Sequence, residues 1–316
     1  MQAAPLIGIA QAPIPDGARA FWLEADDGAR LRAALFEAQA PARGSVVLSP
    51  GRAEPIEKYF EVIEDLRARG FHVLAHDWRG QGLSARALPD RLKGHAEGFE
   101  PFLADYAVML DRVGDRLPKP WIGLAHSMGG ALVLLALARG EGRLAGLLAS
   151  APMIGLHAVR VAPRLAGVIA RAVVGCGLGS LYVQASEPFD QPFAGNILTH
   201  DRARYERFLA QLKACPDLAL GGPTWGWLDF ALAAGAALDR PDTPAGLRLP
   251  LSIVAAGDDR LVLSACAKRF AARAPEGRFV QVPNAYHEIM METDPVRATF
   301  WREFDALASR ISARSV

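Results

Sequence analysis

Ser127 lies in the run Trp121-Ile122-Gly123-Leu124-Ala125-His126-Ser127-Met128-Gly129-Gly130. Its apolar first half reads as a strand, and Met128–Ala138 reads as an Ala/Leu-rich helix. The turn between them, A-H-S-M-G, is close to the G-x-S-x-G pattern of a nucleophile elbow. The pattern has a steric basis: a serine on a sharp strand-to-helix turn projects its hydroxyl at the top of the sheet, and small neighbours let strand and helix approach. Ala125 stands where the pattern has its first glycine; it adds crowding but is still small. The Met128 N–H sits at the start of the helix, where it can donate to an oxyanion with the helix dipole behind it. The plain alternative is an ordinary turn serine ahead of a helix, and the strand–turn–helix context weighs against it.

A serine hydroxyl needs a base at neutral pH. Behind such an elbow the acid and then the histidine follow later in the chain. Of seven histidines, His126 adjoins the serine but is expected to point away at this turn, and His72 and His76 lie in a buried strand. His95, His157 and His200 precede the expected acid. His287 has the right order, in Val282-Pro283-Asn284-Ala285-Tyr286-His287-Glu288, a loop between the last strand and the final helix. The acid should leave the preceding strand, where Gly257-Asp258-Asp259-Arg260-Leu261-Val262 offers two aspartates. Their side chains diverge in an extended turn, so one of them can reach the imidazole. Asp259 fits the G-x-D-x-x-V spacing, and Asp258 is left as a turn or capping residue. The expected set is Ser127 as nucleophile, His287 as base and Asp259 as the acid that holds the imidazole tautomer.

The elements that must position these residues alternate along the chain. Arg19–Leu23 and Leu31–Phe36 read as strands around the Asp26-Asp27-Gly28 turn. Ser45–Leu48, His72–His76, Trp121–Ala125 and Leu144–Ser150 read as further strands, and Glu57–Arg69 and Phe102–Leu117 as amphipathic helices. Leu251–Ala256, Ala265–Ala272 and Arg278–Val282 repeat strand, helix, strand, and Pro295–Ala308 is a final helix. This alternation predicts a mostly parallel sheet covered by helices on both faces. From Met153 to Arg248 the rhythm breaks into apolar, glycine-rich, proline-punctuated helical pieces. The expected organisation is a discontinuous core, 1–152 and 249–316, with a helical lid at 153–248 over the C-terminal edge of the sheet.

Composition narrows the function. The 316 residues are 51% hydrophobic and 22% charged, and 35 Lys+Arg against 34 Asp+Glu give a formal charge of +1. Without a basic excess, nucleic acid is not expected as a partner. Cys176, Cys215 and Cys266 fit no disulfide framework, zinc site or C-x-x-C pattern, which points to a reducing compartment. Residues 1–20 lack a basic start and carry Pro5, Pro13 and Pro15, so no secretory signal is expected. No run of about 18 uninterrupted apolar residues is present to span a membrane. A cytoplasmic location follows, and neither a metal nor an organic cofactor is implied.

Several motifs between Val46 and His287 together resemble the lysophospholipase and monoglyceride lipase branch of the α/β-hydrolases, and within it the bacterial lysophospholipases. Val47-Leu48-Ser49-Pro50-Gly51-Arg52-Ala53-Glu54 with Lys58-Tyr59 resembles that family's H-G-x-x-E…R-Y loop, with Pro50 in place of the usual histidine. By this match the backbone N–H of Arg52 is the second oxyanion donor beside Met128. Asp77-Trp78-Arg79-Gly80-Gln81-Gly82-Leu83-Ser84 matches the family's D-x-R-G-x-G-x-S loop, read as architectural. Gly94-His95 with Phe102 and Tyr106 is similar to the stretch before the family's next helix. Thr199-His200 with Arg204-Tyr205, and Gly221-Gly222-Pro223-Thr224-Trp225-Gly226-Trp227, resemble the bacterial group's lid. Trp225 and Trp227 are packing residues or the lining of an acyl pocket.

The resemblance implies an α/β-hydrolase fold and a serine esterase acting on lysophospholipids or monoacylglycerols. A general carboxylesterase, an acyltransferase, a peptidase on the same fold and a non-catalytic lipid-binding module are the alternatives. Residues 156–186 hold Arg160, Arg164 and Arg171 and no acidic side chain, with Leu165, Val168, Ile169 and Val173 among them. Such a basic amphipathic helix either meets an anionic lipid surface transiently, at the inner membrane, or packs on its own domain. Protein partners are not legible.

Overall fold

The computed structural model describes residues 1–314. Its strands are β1 (Gln2–Ala3), β2 (Arg19–Glu24), β3 (Arg30–Phe36), β4 (Gly44–Ser49), β5 (Phe71–His76), β6 (Trp121–His126), β7 (Gly146–Ser150), β8 (Leu251–Ala256) and β9 (Gly277–Val282). They form one sheet in the order β1-β2-β3-β5-β4-β6-β7-β8-β9. The pairs β1–β2, β2–β3 and β3–β5 are antiparallel, and β5 through β9 run parallel. The chain leaves β4 toward β5 on one side, and β6 lies on the other. That reversal of direction opens a crevice beyond the C-terminal strand ends, the usual place for a ligand in such sheets.

The parallel strands other than the edge strand β9 are buried on both faces, so alternate residues serve different cores. In β4, Val47 joins the cluster with α2 (Glu100–Val113) and α3 (Ser127–Ala138), while Val46 and Leu48 join the cluster with α1 (Phe60–Ala68) and α9 (Asp294–Ser312). Helix α3 is buried on nearly every side, which explains its apolar sequence throughout.

Between β7 and β8 the chain is helical: α4 (Pro163–Val173), α5 (Arg202–Ala214), α6 (Trp225–Asp239) and the short α7 (Asp242–Ala245). Phe230, Ala231, Ala234 and Leu238 of α6 join the same core as α3. Helix α8 (Ser264–Arg273) then connects β8 to β9.

Two helix boundaries and one short strand are among the differences from the sequence expectation. Residues 56–59 form a 3-10 turn before α1, because Glu57 turns inward to Arg32 (2.7 Å) and Lys58 to Glu54 (2.8 Å). Helix α2 stops at Val113; a Cβ on Gly114 would stand 2.8 Å from the Trp121 ring, so this position must stay small. The pair β1, two residues long, carries no periodicity that a sequence could reveal.

Candidate active site

Ser127 begins α3 directly after β6, with φ of 48°. A non-glycine residue in the left-handed region costs about 1–3 kcal/mol and persists only where its surroundings enforce it. Here they do. A Cβ at Gly129 would meet the Pro50 carbonyl oxygen at 2.3 Å and that of Ser49 at 2.5 Å, so α3 is pressed against the exit of β4. The Met153 N–H holds the Ser127 carbonyl at 2.9 Å. The Ala125 methyl is fully buried in the core, so the extra crowding is absorbed there.

The His287 ring reaches both neighbours: Nε2 lies 2.9 Å from Ser127 Oγ, and Nδ1 lies 2.8 Å from Asp259 Oδ2. With Nδ1–H donating to the carboxylate, Nε2 is free to accept the serine proton. Asp259 Oδ1 accepts the N–H groups of Leu261 (2.8 Å) and Val262 (2.9 Å), which fixes the carboxylate plane. Burial pushes the Asp259 carboxyl up, but its bond to His287 and these two amides outweigh burial and hold it below its ordinary value. Asp258 is exposed, and its backbone N–H donates to the Ala285 carbonyl.

The turn after β4 is held by the D-W-R-G-Q-G-L-S loop. Trp78 Nε1 donates to the Pro50 carbonyl (2.8 Å), and Gln81 Nε2 donates to the Gly51 carbonyl (2.7 Å). In a trans peptide the N–H points opposite the C=O. Gln81 therefore aims the Arg52 N–H away from itself, and that N–H has no acceptor among the described residues. Asp77 accepts from Arg32 (2.7 Å), the Ile56 N–H (3.0 Å) and the Leu83 N–H (2.8 Å). Gly82 has φ of 55°, and a Cβ there would overlap the Asp77 carboxylate at 2.2 Å. The role of Gln81 was not visible in the sequence; its place inside a glycine-rich turn was the one available hint.

Sequence reasoning also missed a buried ionic group behind the site. Lys58 Nζ lies 2.8 Å from Glu54 Oε1 and 2.5 Å from Glu288 Oε1. Glu54 Oε2 accepts the Gly51 N–H (2.5 Å) and the Tyr59 hydroxyl (2.6 Å). Burial pushes the Glu54 carboxyl up, yet Lys58, His126 and the Tyr59 hydroxyl together outweigh it and hold its pKa at about 2. Burial and the nearby Glu54 charge raise Glu288 against the pull of Lys58.

His126 does not turn away from this region, as the sequence suggested. Its ring packs 4.8 Å from that of His287, its Nδ1 lies 3.1 Å from the Ser150 carbonyl, and burial lowers its pKa to about 4. A neutral His126 thus donates to Ser150 and fills space beside the base.

The segments resembling a lid meet the rim of the site. The Arg52 guanidinium donates to the Gly221 carbonyl and lies 5.2 Å from the Trp227 ring. Thr224 caps α6, and its hydroxyl lies 2.8 Å from His95 Nδ1. Trp227 packs against the core and Phe230, whereas the Trp225 N–H donates to the Leu181 carbonyl. His200 lies 2.8 Å from Glu292 and stacks on Tyr286 at 3.8 Å, and the Thr199 hydroxyl donates to the Met291 carbonyl (2.7 Å). The Thr199-His200 motif thus joins the chain around His287, and the Gly221–Trp227 motif joins the turn after β4 through Arg52.

A mostly parallel, helix-covered sheet with a serine elbow facing a histidine and an aspartate defines the α/β-hydrolase class. Within it, the chain belongs to the Hydrolase_4 family, described as serine aminopeptidase, S33, whose model matches residues 40–294. It is 34% identical over 305 residues to lysophospholipase L2 of Escherichia coli (strain K12), covering 88% of this chain and 86% of that protein. It is 27% identical over 272 residues to the monoacylglycerol lipase of Mycolicibacterium smegmatis, covering 84% and 89%. Its structure is similar to that of a soluble variant of monoglyceride lipase from Saccharomyces cerevisiae, with a TM-score of 0.75, 22% identity, and coverage of 98% of this chain and 99% of that one. The resemblance expected from the sequence motifs agrees with these similarities.

Proposed function

We propose that this protein is a serine hydrolase that cleaves carboxylic esters of lipids, with lysophospholipids or monoacylglycerols as substrates. The observation that carries this is the single imidazole within hydrogen-bond reach of both Ser127 Oγ (2.9 Å) and Asp259 (2.8 Å). Ser127 attacks the ester carbonyl while His287 Nε2 takes the hydroxyl proton, and Asp259 stabilises the imidazolium. The Arg52 and Met128 N–H groups receive the negative charge on the carbonyl oxygen. His287 then gives its proton to the departing alcohol, takes one from the water that attacks the acyl carbonyl, and returns it to Ser127 Oγ as the bond to the serine breaks and the fatty acid leaves.

The names of the relatives support the lipid substrate class. In this proposal residues 153–248 act as a lid, with Trp225 and Trp227 at the acyl side of the site. Helix α4 exposes Leu165 (60%), Val168 (66%) and Ile169 (46%) beside Arg164 and Arg171. That apolar face with basic flanks suits brief contact with an anionic lipid surface. No helix among the described residues is long and apolar enough to cross a membrane.

The description of the family favours a second substrate class, N-terminal peptide bonds. Against it, Glu54 and Glu288, the acids buried beside the site, are already engaged by Lys58, with which a cationic α-amino group would have to compete.

Fatty-acid release from a lysophospholipid and from a monoacylglycerol, with Ser127→Ala in parallel, tests the proposal. Release that is lost in the variant supports it. Release that survives in S127A, or cleavage of aminoacyl amides in preference to both lipids, refutes it.

A further inference from the structure

Two loops frame the Ser127–His287 pair, and one buried cation joins them. The first is the turn after β4, whose Gly51 N–H is held by Glu54 and whose next amide is that of Arg52. The second is the loop after β9, in which Glu288 directly follows His287. Lys58 bonds both carboxylates, and the three side chains are 3% (Lys58), 4% (Glu54) and 10% (Glu288) exposed. The remaining face of the ammonium lies 4.6 Å from the Phe208 ring of α5. So dry a lysine has no solvent to fall back on, and it stays where the two acids put it.

We propose that Lys58 is a positioning residue for acyl transfer: it clamps the turn bearing the Arg52 donor to the loop bearing the His287 base, and leaves one excess negative charge beside that base. This rests on the serine-hydrolase function proposed above. The groups around His287 are Asp259 from the loop after β8, Ser127 from α3, the His126 ring from β6 and Glu288 from its own loop. Glu54 and Lys58 stand behind them, Glu292 accepts the Tyr286 N–H (2.8 Å), and Arg260 lies 5.4 Å from the Tyr286 ring. Burial raises Glu288, but its contact with the Lys58 ammonium (2.5 Å) favours the carboxylate, and two carboxylates against one ammonium leave the Glu54–Lys58–Glu288 group at −1, a charge that favours the imidazolium formed when Ser127 attacks.

Two substitutions separate position from charge. Lys58→Met removes the clamp, and one of the two facing carboxylates then takes up a proton, so the local charge stays near −1. Glu288→Gln keeps an oxygen for Lys58 to bond but removes the excess charge. With a soluble short-chain ester, K58M should lose on the order of 10²-fold in kcat with KM within about twofold, the effect of a small misplacement of reacting groups. Its acid limb in kcat/KM should not move. Lys58→Arg, whose guanidinium can bridge both acids, should recover about tenfold or more of that loss. E288Q should lose less than about tenfold in kcat, well short of the K58M loss, while its acid limb moves to lower pH. The proposal is overturned if folded K58M retains kcat within about threefold, or if the E288Q limb stays in place. If K58M does not fold, the E288Q limb decides by itself. A wild-type activity that survives S127A overturns the parent function instead, and is recognised by that control.

Discussion

The bond pattern of Asp259 makes Asp259→Asn a demanding test of the acyl-transfer mechanism. The carboxylate uses Oδ1 for two backbone amides, Leu261 and Val262, and Oδ2 for His287. Asparagine offers one oxygen and one NH2 group. If its oxygen takes the Oδ1 place, both amides stay satisfied and the NH2 faces Nδ1, which forces the His287 proton onto Nε2. The base then points a hydrogen at Ser127 and cannot accept one. The reverse orientation leaves two buried N–H groups facing an NH2, and each unmet bond costs about 1–3 kcal/mol. The unproductive orientation is therefore favoured by about 2–6 kcal/mol, roughly 30-fold at the least. Loss of the carboxylate charge beside the imidazolium removes about one to three pK units of support, roughly another 10- to 10³-fold. Together kcat should fall by about 3 × 10²-fold or more, a range that includes the roughly 10⁴-fold loss seen when the acid of a serine triad loses its charge. KM should change little, since Asp259 is covered by the imidazole. Steady-state kinetics on a soluble chromogenic ester, with a thermal melt to verify folding, measures this. Asp258→Asn is the matched control, because that side chain is exposed. A folded D259N that keeps more than a tenth of kcat would refute the reasoning.

Other outcomes follow from neighbouring parts of the structure. Gln81→Ala frees the Gly51 carbonyl and should lower kcat by about tenfold, a part of the 10²–10³ that a lost oxyanion donor costs; unchanged kcat would remove Gln81 from the argument. Arg32 is fully buried between Glu57 and Asp77, so Arg32→Met leaves two uncompensated carboxylates and should cost about 3–5 kcal/mol, read as a drop in denaturant midpoint. Glu61 is pushed up by burial but held at about 2 by Arg204, Arg207 and Arg297. A folded pKa below the unfolded one gives stability that is present above about pH 4.5 and lost as pH falls toward 2, about 1–2 kcal/mol after solvent screening. Glu61→Gln should flatten the melting temperature across that window. Replacing Leu165 and Val168 by serine should weaken flotation with anionic vesicles while leaving cleavage of a soluble ester intact; equal flotation would dismiss α4 as the contact.

Local patterns carried most of the architecture and the three candidate residues at its centre. The strands β4 to β8 are largely apolar runs bounded by turn residues, and each survives translation into structure within a few positions because burial on both faces constrains nearly every side chain; β9, an edge strand with Arg278 and Gln281 exposed, keeps its place with less burial. Ser127, Asp259 and His287 were legible because each sits where a strand ends, and strand ends are marked in sequence. The break in the strand–helix alternation set residues 153–248 apart in the sequence from the sheet-bearing segments.

Residue patterns along the chain specify the order of elements and the chemistry of the groups at their ends. It could not reveal partners separated by long stretches of chain. Lys58 and Glu288 are 230 residues apart, and Arg52 reaches Gly221 across 169. Gln81 reads as one more polar residue in a glycine-rich turn until its amide is seen on the Gly51 carbonyl. The face that His126 presents to His287 also depends on how α3 is pressed against β4. A periodic pattern encodes which side of an element is buried, but not which other element covers it. Charges sheltered from water make that choice matter, since each must meet its counter-ion inside the fold or lose its charge.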